Sequence, residues 1–371
     1  MVLSHHPPLA ADGRSVAKPS STSRWSGVGL GLVFLCFASP MVLADQTVLA
    51  TSDQVHIEGR YAVEQDGVTI GFPGVRLTCR INGKQLTLRT AGTSDTVMLD
   101  VVVDGQLRDT WTLDENFADK QIRFDTGGPR SIEIHKRTEG WQGLWKVSEL
   151  STDGEFLPPP KPLTRKLLFI GDSITAGSGT DATLDDTTDD YTTSNGRLTY
   201  ARRLGDRLNA QVHLIAYGGR GLVRDWQDIR ETNNAPQYFH WTLPDDSNRL
   251  WDHSRYVPDA VSIALGTNDF NPGVPEANEW IAALIRFIGD IRRAYPKVPI
   301  FLISSPMHGD GYGPGETLVR YLQAAADSTP DVTVIDVAHR PGRPVDSHPI
   351  SSEHEGMADE IEPVFRRVLG W

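Results

Sequence analysis

Four small groups of residues in this chain have the types and spacing that acyl-transfer chemistry needs. Gly171-Asp172-Ser173 offers a hydroxyl nucleophile, and Gly266-Thr267-Asn268-Asp269 offers a side-chain amide. Asp346-Ser347-His348-Pro349 offers an imidazole with a carboxylate two residues before it. Gly218-Gly219-Arg220-Gly221 offers backbone N–H groups with little side chain in the way. A serine hydroxyl is a poor nucleophile until a base takes its proton, and His348 can do so near neutral pH. A carboxylate behind the imidazole fixes its tautomer and stabilises the imidazolium, and Asp346 is the nearest candidate. The tetrahedral oxyanion then needs donors, which the Ser173 and Gly219 N–H groups and the Asn268 side chain supply, each worth about 3 kcal/mol of barrier. Alone, an Asp-Ser before a helix is as readily a cap, since both residues are preferred there. The hydrolase reading rests on the four groups occurring together.

Groups this far apart in sequence meet only if regular elements carry them to one place. Leu167-Leu168-Phe169-Ile170 is a short, wholly apolar run and reads as a buried strand. Gly171 and Asp172 break it, and Ser173 sits on the turn before a short helix, its backbone N–H at the helix N-terminus ready to meet a negative oxygen. From Lys166 onward strands and helices alternate. Further strands are predicted at Val212–Ala216, Ala260–Leu265, Ile300–Ile303 and Val332–Ile335. Helices are predicted at Tyr200–Leu208, Trp280–Tyr295, Thr317–Ala326 and Glu355–Leu369, the last interrupted at Pro363. Such alternation means an α/β fold, a parallel sheet between two helical layers. Ligands of these folds bind at the carboxyl edge of the sheet, which is where the four groups fall.

Upstream the pattern changes. Residues 45–155 show short runs such as Val75–Ile81, Gln85–Arg89, Val97–Val103, Ile122–Phe124 and Ser131–His135, separated by turn signals including Asn82-Gly83 and Asp104-Gly105. They predict an N-terminal β-sandwich. Trp111, Trp141 and Trp145 lie in it; core or inter-domain packing is the commoner fate of such residues, with stacking on sugar the alternative. The Pro-rich stretch 156–165 is a stiff connector, and 166–371 is the α/β domain. Residues 1–44 read as an export signal: Arg14, Lys18 and Arg24 precede an apolar run from Val28 to Ala38, and Val42-Leu43-Ala44 fits a cleavage site. An uncleaved anchor is the alternative. After cleavage Cys79 is the only cysteine and no internal disulfide can form; it is expected to be a buried small hydrophobe. A formal charge of -12 and the lack of a basic run argue against nucleic acid.

The four groups and their order resemble the blocks of the SGNH (GDSL-type) hydrolases, from about Lys166 to the C-terminus. The joined N-terminal β-domain resembles carbohydrate esterase family two, through Gly59-Arg60-Tyr61, Val103-Asp104-Gly105, Lys136-Arg137-Thr138-Glu139 and Gly218-Gly219-Arg220-Gly221. The resemblance implies a jelly-roll sandwich beside the catalytic module and an esterase that removes O-acetyl groups from plant polysaccharides such as xylan or glucomannan. It implies Ser173 as nucleophile, His348 as base, Gly219 and Asn268 in the oxyanion hole, and no metal or cofactor. The wider superfamily spaces its acid three residues before the histidine, whereas Asp346 precedes His348 by two. Some family-two members orient the histidine through a backbone carbonyl, so the acid is Asp346 or such a carbonyl. The expected protein is a secreted or periplasmic monomer, off the membrane once the signal is removed, whose partner is an acetylated polysaccharide or oligosaccharide.

Other residues are assigned structural roles. His354 is expected to cap a helix or lie at the surface, Asp269 to bind backbone amides near Asn268, and Asp336 to close a strand end. His308 lies past a strand end, where a structural place is expected and lining the pocket is the alternative. Asp181, Asp185, Asp186, Asp189 and Asp190 read as a solvated loop, with weak cation binding the alternative. Trp226, Tyr238, Trp241 and Trp251 fall in a long insertion at the active edge, a natural place for a sugar platform, with Trp226 the leading candidate. Two rival functions stand beside the deacetylase: a lipid or acyl-ester hydrolase on the same fold, and a carbohydrate-binding protein with secondary esterase activity.

Overall fold

The computed structural model describes residues 45–188, 190–308 and 313–371; residues 1–44, expected to be an export signal, and Asp189 lie outside the described residues. The β-domain opens with β1 (Gln46–Leu49), β2 (Val55–Glu58), β3 (Ala62–Glu64), β4 (Gly67–Ile70), β5 (Arg76–Asn82) and β6 (Gln85–Gly92). It continues with β7 (Met98–Val103), β8 (Gln106–Thr112), β9 (Ala118–Arg123), β10 (Pro129–Lys136), β11 (Trp145–Thr152) and β12 (Glu155–Leu157). These strands form two antiparallel sheets, one ordered β3-β4-β11-β6-β9 with β1 on β11, the other β12-β5-β10-β7-β8 with β2 on β5. Alternate residues of the central strands, such as Leu77, Cys79 and Ile81 of β5 or Ile132 and Ile134 of β10, turn inward and fill the space between the sheets. Cys79 is fully buried, and burial pushes its thiol up to about 12, so it packs rather than reacts. Strands β1 to β4 and β12, which the sequence does not mark, are three or four residues long, with little alternation to detect.

The second sheet is parallel: β13 (Arg165–Gly171), β14 (Ala210–Ala216), β15 (Ala260–Ala264), β16 (Ile300–Ile303) and β17 (Val332–Ile335), ordered β14-β13-β15-β16-β17. Its helices are α1 (Ser173–Ala176), α2 (Tyr200–Leu208), α3 (Ala235–Tyr238), α4 (Thr267–Phe270), α5 (Ala277–Ala294), α6 (Gly315–Asp327) and α7 (Ser351–Leu369). Leu167 and Phe169 of β13 face α2 and α7, while Leu168 and Ile170 face the α5–α6 side. A strand buried on both faces has no reason to alternate, which is why this one reads as a plain apolar run. The chain reverses its direction of strand addition at β13, so the crevice for a ligand opens beyond β13 and β15. Helix α7 starts earlier than predicted, at Ser351, and runs through Pro363. The residue whose carbonyl loses its partner there is Asp359, which is exposed, so water takes up the deficit and the helix need not break.

The core of the sandwich is continuous with that of the α/β sheet. Tyr238, Phe239, Trp241 and Trp251 of the β14–β15 insertion are buried between them, which removes Tyr238, Trp241 and Trp251 as sugar platforms. Arg60 of the β-domain donates to the Phe239 and Trp241 carbonyls at 2.7 and 2.6 Å and stacks over Trp251. Glu58 is the ionic counterpart: it pairs with Arg202 of α2, accepts the Arg76 guanidinium at 2.7 Å and takes the Val212 N–H at 2.9 Å. Burial alone would raise its pKa, but Arg202 and Arg76 outweigh this and hold the carboxyl well below the usual range. Glu58→Gln leaves the Arg202 charge buried without its partner, and about 3 kcal/mol of stability is expected to be lost in urea unfolding. A loss below about 1 kcal/mol would refute this role for the pair. Because the folded pKa is depressed, the stabilisation is present above the free glutamate value of about 4.3 and disappears as pH falls below it.

Candidate active site

The parallel register explains why the sequence groups meet. Gly171 at the end of β13 pairs with Ala216 at the end of β14 and Ala264 at the end of β15, so the residues that follow all three strands emerge at one level. Ser173, Gly219 and Asn268 line one cleft of about 660 Å³ together with His348, Asp346, Trp141 and Trp226. Asp172 caps α1, accepting the Ile174 N–H at 3.1 Å, so Ser173 is the first helical residue rather than the cap. Its own N–H therefore has no intrahelical acceptor. Burial pushes the Asp172 carboxyl up to about 6.

His348 reaches the serine from the loop after β17, with Nε2 2.7 Å from Ser173 Oγ. On the other side of the ring, Nδ1 lies 2.7 Å from Asp346 Oδ2, close enough for a strong electrostatic contact although the N–H is not aimed straight at the oxygen. Among the described residues no backbone carbonyl accepts from Nδ1. A two-residue spacing works because Ser347 adopts the left-handed conformation, φ 60°, and folds the loop back on itself. The loop is clipped shut by Ser347 N–H to Arg343 C=O and Arg343 N–H to His348 C=O, both 2.9 Å. Arg343, only 1% exposed, grips the Asp346 carboxylate with Nε at 2.7 Å from Oδ1 and Nη2 at 2.5 Å from Oδ2. Burial would raise the Asp346 pKa, but His348 and Arg343 outweigh it and keep the carboxyl well below its usual range.

The glycine turn after β14 is held at three points. Glu139 of the β-domain accepts the Gly218 N–H at 2.5 Å, Trp226 N–H donates to the Gly219 carbonyl at 3.0 Å, and Asn268 Nδ2 donates to the Arg220 carbonyl at 2.9 Å. The Gly219 N–H is left without a partner among the described residues. Gly219 sits at φ 76°, and a Cβ there would come within 2.9 Å of Trp226 Cδ1, so both backbone and packing demand glycine. Asp269, beside Asn268, binds the Leu222 and Val223 N–H groups at 2.8 Å and that of Arg224 at 3.2 Å, anchoring the next stretch of the insertion.

Two tryptophans flank the cleft, Trp226 at 53% exposure and Trp141 at 57%. Trp141 departs from the core role expected of the β-domain tryptophans; Trp111 and Trp145 do pack inside. His354 is buried rather than at the surface: its Nδ1 accepts the Tyr200 N–H at 3.1 Å and its ring stacks on Tyr200, capping α2 from α7. Asp336 accepts the Ser304 hydroxyl at a strand end. Asp181 pairs with Arg137 and Asn195, and among the described residues no cluster of His, Cys, Asp and Glu is arranged to hold a metal ion. The sequence marks Glu139 only as part of a resembling motif, without its place at the glycine turn, and does not mark Arg343 at all, because nothing local identifies a charged residue that a distant element buries.

Residues 169–361 match the family described as GDSL-like Lipase/Acylhydrolase, and residues 57–160 match the carbohydrate esterase 2 N-terminal domain. The chain is 31% identical over 340 residues to an acetylxylan esterase / glucomannan deacetylase of Cellvibrio japonicus, spanning 89% of this chain and 93% of that protein. A solved family two carbohydrate esterase from Cellvibrio japonicus superposes with a TM-score of 0.84 at 30% identity, covering 88% of this chain and 99% of the other. Another, from Clostridium thermocellum in complex with cellohexaose, gives a TM-score of 0.80 at 26% identity, covering 85% and 99%. Among the described residues no helix is long and apolar enough to cross a membrane.

Proposed function

The chain belongs to the GDSL-like lipase/acylhydrolase family, in its family two carbohydrate esterase branch, and is a carboxylic ester hydrolase; from that premise we propose that it removes O-acetyl groups from plant cell-wall polysaccharide, xylan or glucomannan, through an acyl-enzyme on Ser173. Ser173 Oγ attacks the acetyl carbonyl carbon as His348 Nε2 takes its proton. The carbonyl oxygen becomes an oxyanion against the Ser173 and Gly219 N–H groups and the Asn268 amide. The intermediate collapses, the sugar oxygen leaves with the proton from His348, and the acetyl group stays on Ser173. Water, deprotonated by the same imidazole, then releases acetate and restores the hydroxyl. Asp346 stays ionised and holds the imidazolium throughout.

The observation that carries this reading is the 2.7 Å contact between His348 Nε2 and Ser173 Oγ at the floor of a cleft. Its carbohydrate side is supported by Trp141 and Trp226, whose exposed faces stand beside Arg220, Asp225, Gln227 and Asn271, a mixture of apolar face and polar edge suited to a pyranose. The same proposal makes residues 1–44 an export signal and residues 45–371 a secreted or periplasmic monomer with a β-sandwich to about residue 155 and a catalytic module from 166. The test is acetate release from acetylated xylan and glucomannan, run beside nitrophenyl esters of increasing chain length. Release from both the polymers and nitrophenyl acetate, with turnover at least tenfold lower for butyryl and longer esters, is the expected result. A preference for long chains would transfer the reading to a lipid esterase, and retention on glycan without turnover to a binding protein.

A further inference from the structure

Glu139 is a buried carboxylate that the proposed reaction does not use, yet it lines the catalytic cleft from the other domain. It follows β10, on a turn tied down by its neighbours: Lys136 Nζ donates to the Thr138 and Glu139 carbonyls at 2.5 and 3.0 Å, and Glu139 N–H donates to Gln142 Oε1 at 2.7 Å. The Gln142 carbonyl is in turn held by Ser94 Oγ at 2.5 Å. From this rigid base the carboxylate accepts the Gly218 N–H at 2.5 Å. The fit is close enough that a Cβ on Gly218 would stand 2.6 Å from Glu139 Oε2. Burial pushes the Glu139 carboxyl up to about 7, against the pull of the Gly218 N–H, His348, Trp141 and Lys136.

We propose that Glu139 is a positioning residue for the oxyanion turn, set from the β-domain. It fixes the Gly218 N–H while Trp226 N–H fixes the Gly219 carbonyl, so the peptide carrying the Gly219 N–H is held on both sides. A donor is effective only if it is already aimed where the charge will develop, and a displacement of about 1 Å can cost on the order of 10²-fold. The β-domain therefore completes the catalytic geometry. This inference rests on the acyl-enzyme reading above.

The experiment compares Glu139→Ala and Glu139→Gln in the purified full chain on nitrophenyl acetate, with Ser173→Ala alongside. Oxyanion contacts form in the transition state, so Glu139→Ala is expected to lower kcat at least about 30-fold while KM stays within about threefold. Glutamine keeps an acceptor for the Gly218 N–H and is expected to restore kcat to within about fivefold of the parent. If the alanine variant does not fold, Glu139→Asp, which withdraws the carboxylate from Gly218, must show the same kcat loss at unchanged KM. A kcat within threefold of the parent for the alanine or aspartate variant, a change confined to KM, or a glutamine variant as slow as alanine would each overturn the proposal. Full activity in Ser173→Ala would instead sink the acyl-enzyme reading on which it rests.

Discussion

Ser173→Ala is expected to lower kcat for acetyl-ester hydrolysis on the order of 10⁵-fold or more with little change in fold. On the proposed acyl-enzyme mechanism, the size follows from the loss of the atom that forms the covalent intermediate, with no substitute at hand. The contact that the proposed mechanism needs is specific to this hydroxyl, since His348 Nε2 is hydrogen-bonded to Ser173 Oγ. The cavity left by one oxygen is small, and the α1 cap on Asp172 is untouched, so the unfolding midpoint is expected to stay within a few degrees of the parent. Residual hydrolysis from the oxyanion donors and binding alone is the floor the measurement should find. Activity above about 1% of the parent would rule out Ser173 as the nucleophile.

Asp346→Asn should cost on the order of 10⁴-fold in kcat, although it changes one atom. The Asp346 carboxylate faces donors on every side: Arg343 Nε at 2.7 Å and Nη2 at 2.5 Å, the His348 backbone N–H at 3.1 Å and His348 Nδ1 at 2.7 Å. Asparagine can accept through its oxygen only, so its NH₂ group must confront one of these donors. The Arg343 guanidinium is always charged and keeps the oxygen, which turns the NH₂ toward the imidazole. Nδ1 must then accept, Nε2 carries the proton, and the ring can no longer take one from Ser173. Were the histidine oriented by a backbone carbonyl instead, this substitution would leave kcat within about tenfold of the parent. Single-turnover rates with nitrophenyl acetate distinguish the two results without reference to product release.

Which parts of this arrangement can be read from the sequence depends on the range of the interactions involved. The strands and helices of the α/β domain are legible because burial on both faces leaves an apolar run and burial on one face leaves a helical stripe. Ser173, Gly219 and Asn268 are legible because each follows a strand, and parallel strands in register deliver their ends to one edge. Pro363 misleads, since a proline on the solvent face of a well-packed helix costs one hydrogen bond that water replaces. The capping role of His354 is legible but its burial is not, because its partner, the Tyr200 N–H, is remote in sequence.

By itself, then, the sequence determined the two fold types, the order of the chemical groups and the edge of the sheet at which they gather, since these follow from periodicity and from turn residues within a few positions of one another. The tertiary structure decided the rest. It placed Trp141 at the cleft and Trp145 in the core, buried Tyr238, Trp241 and Trp251 between the domains, and brought Glu139 to Gly218 and Arg343 to Asp346. The β-domain contacts join residues tens of positions apart, and the Arg343 fork depends on a loop closed by a left-handed Ser347. A side chain's identity carries its chemistry, but its burial and its partner are properties of the packed whole.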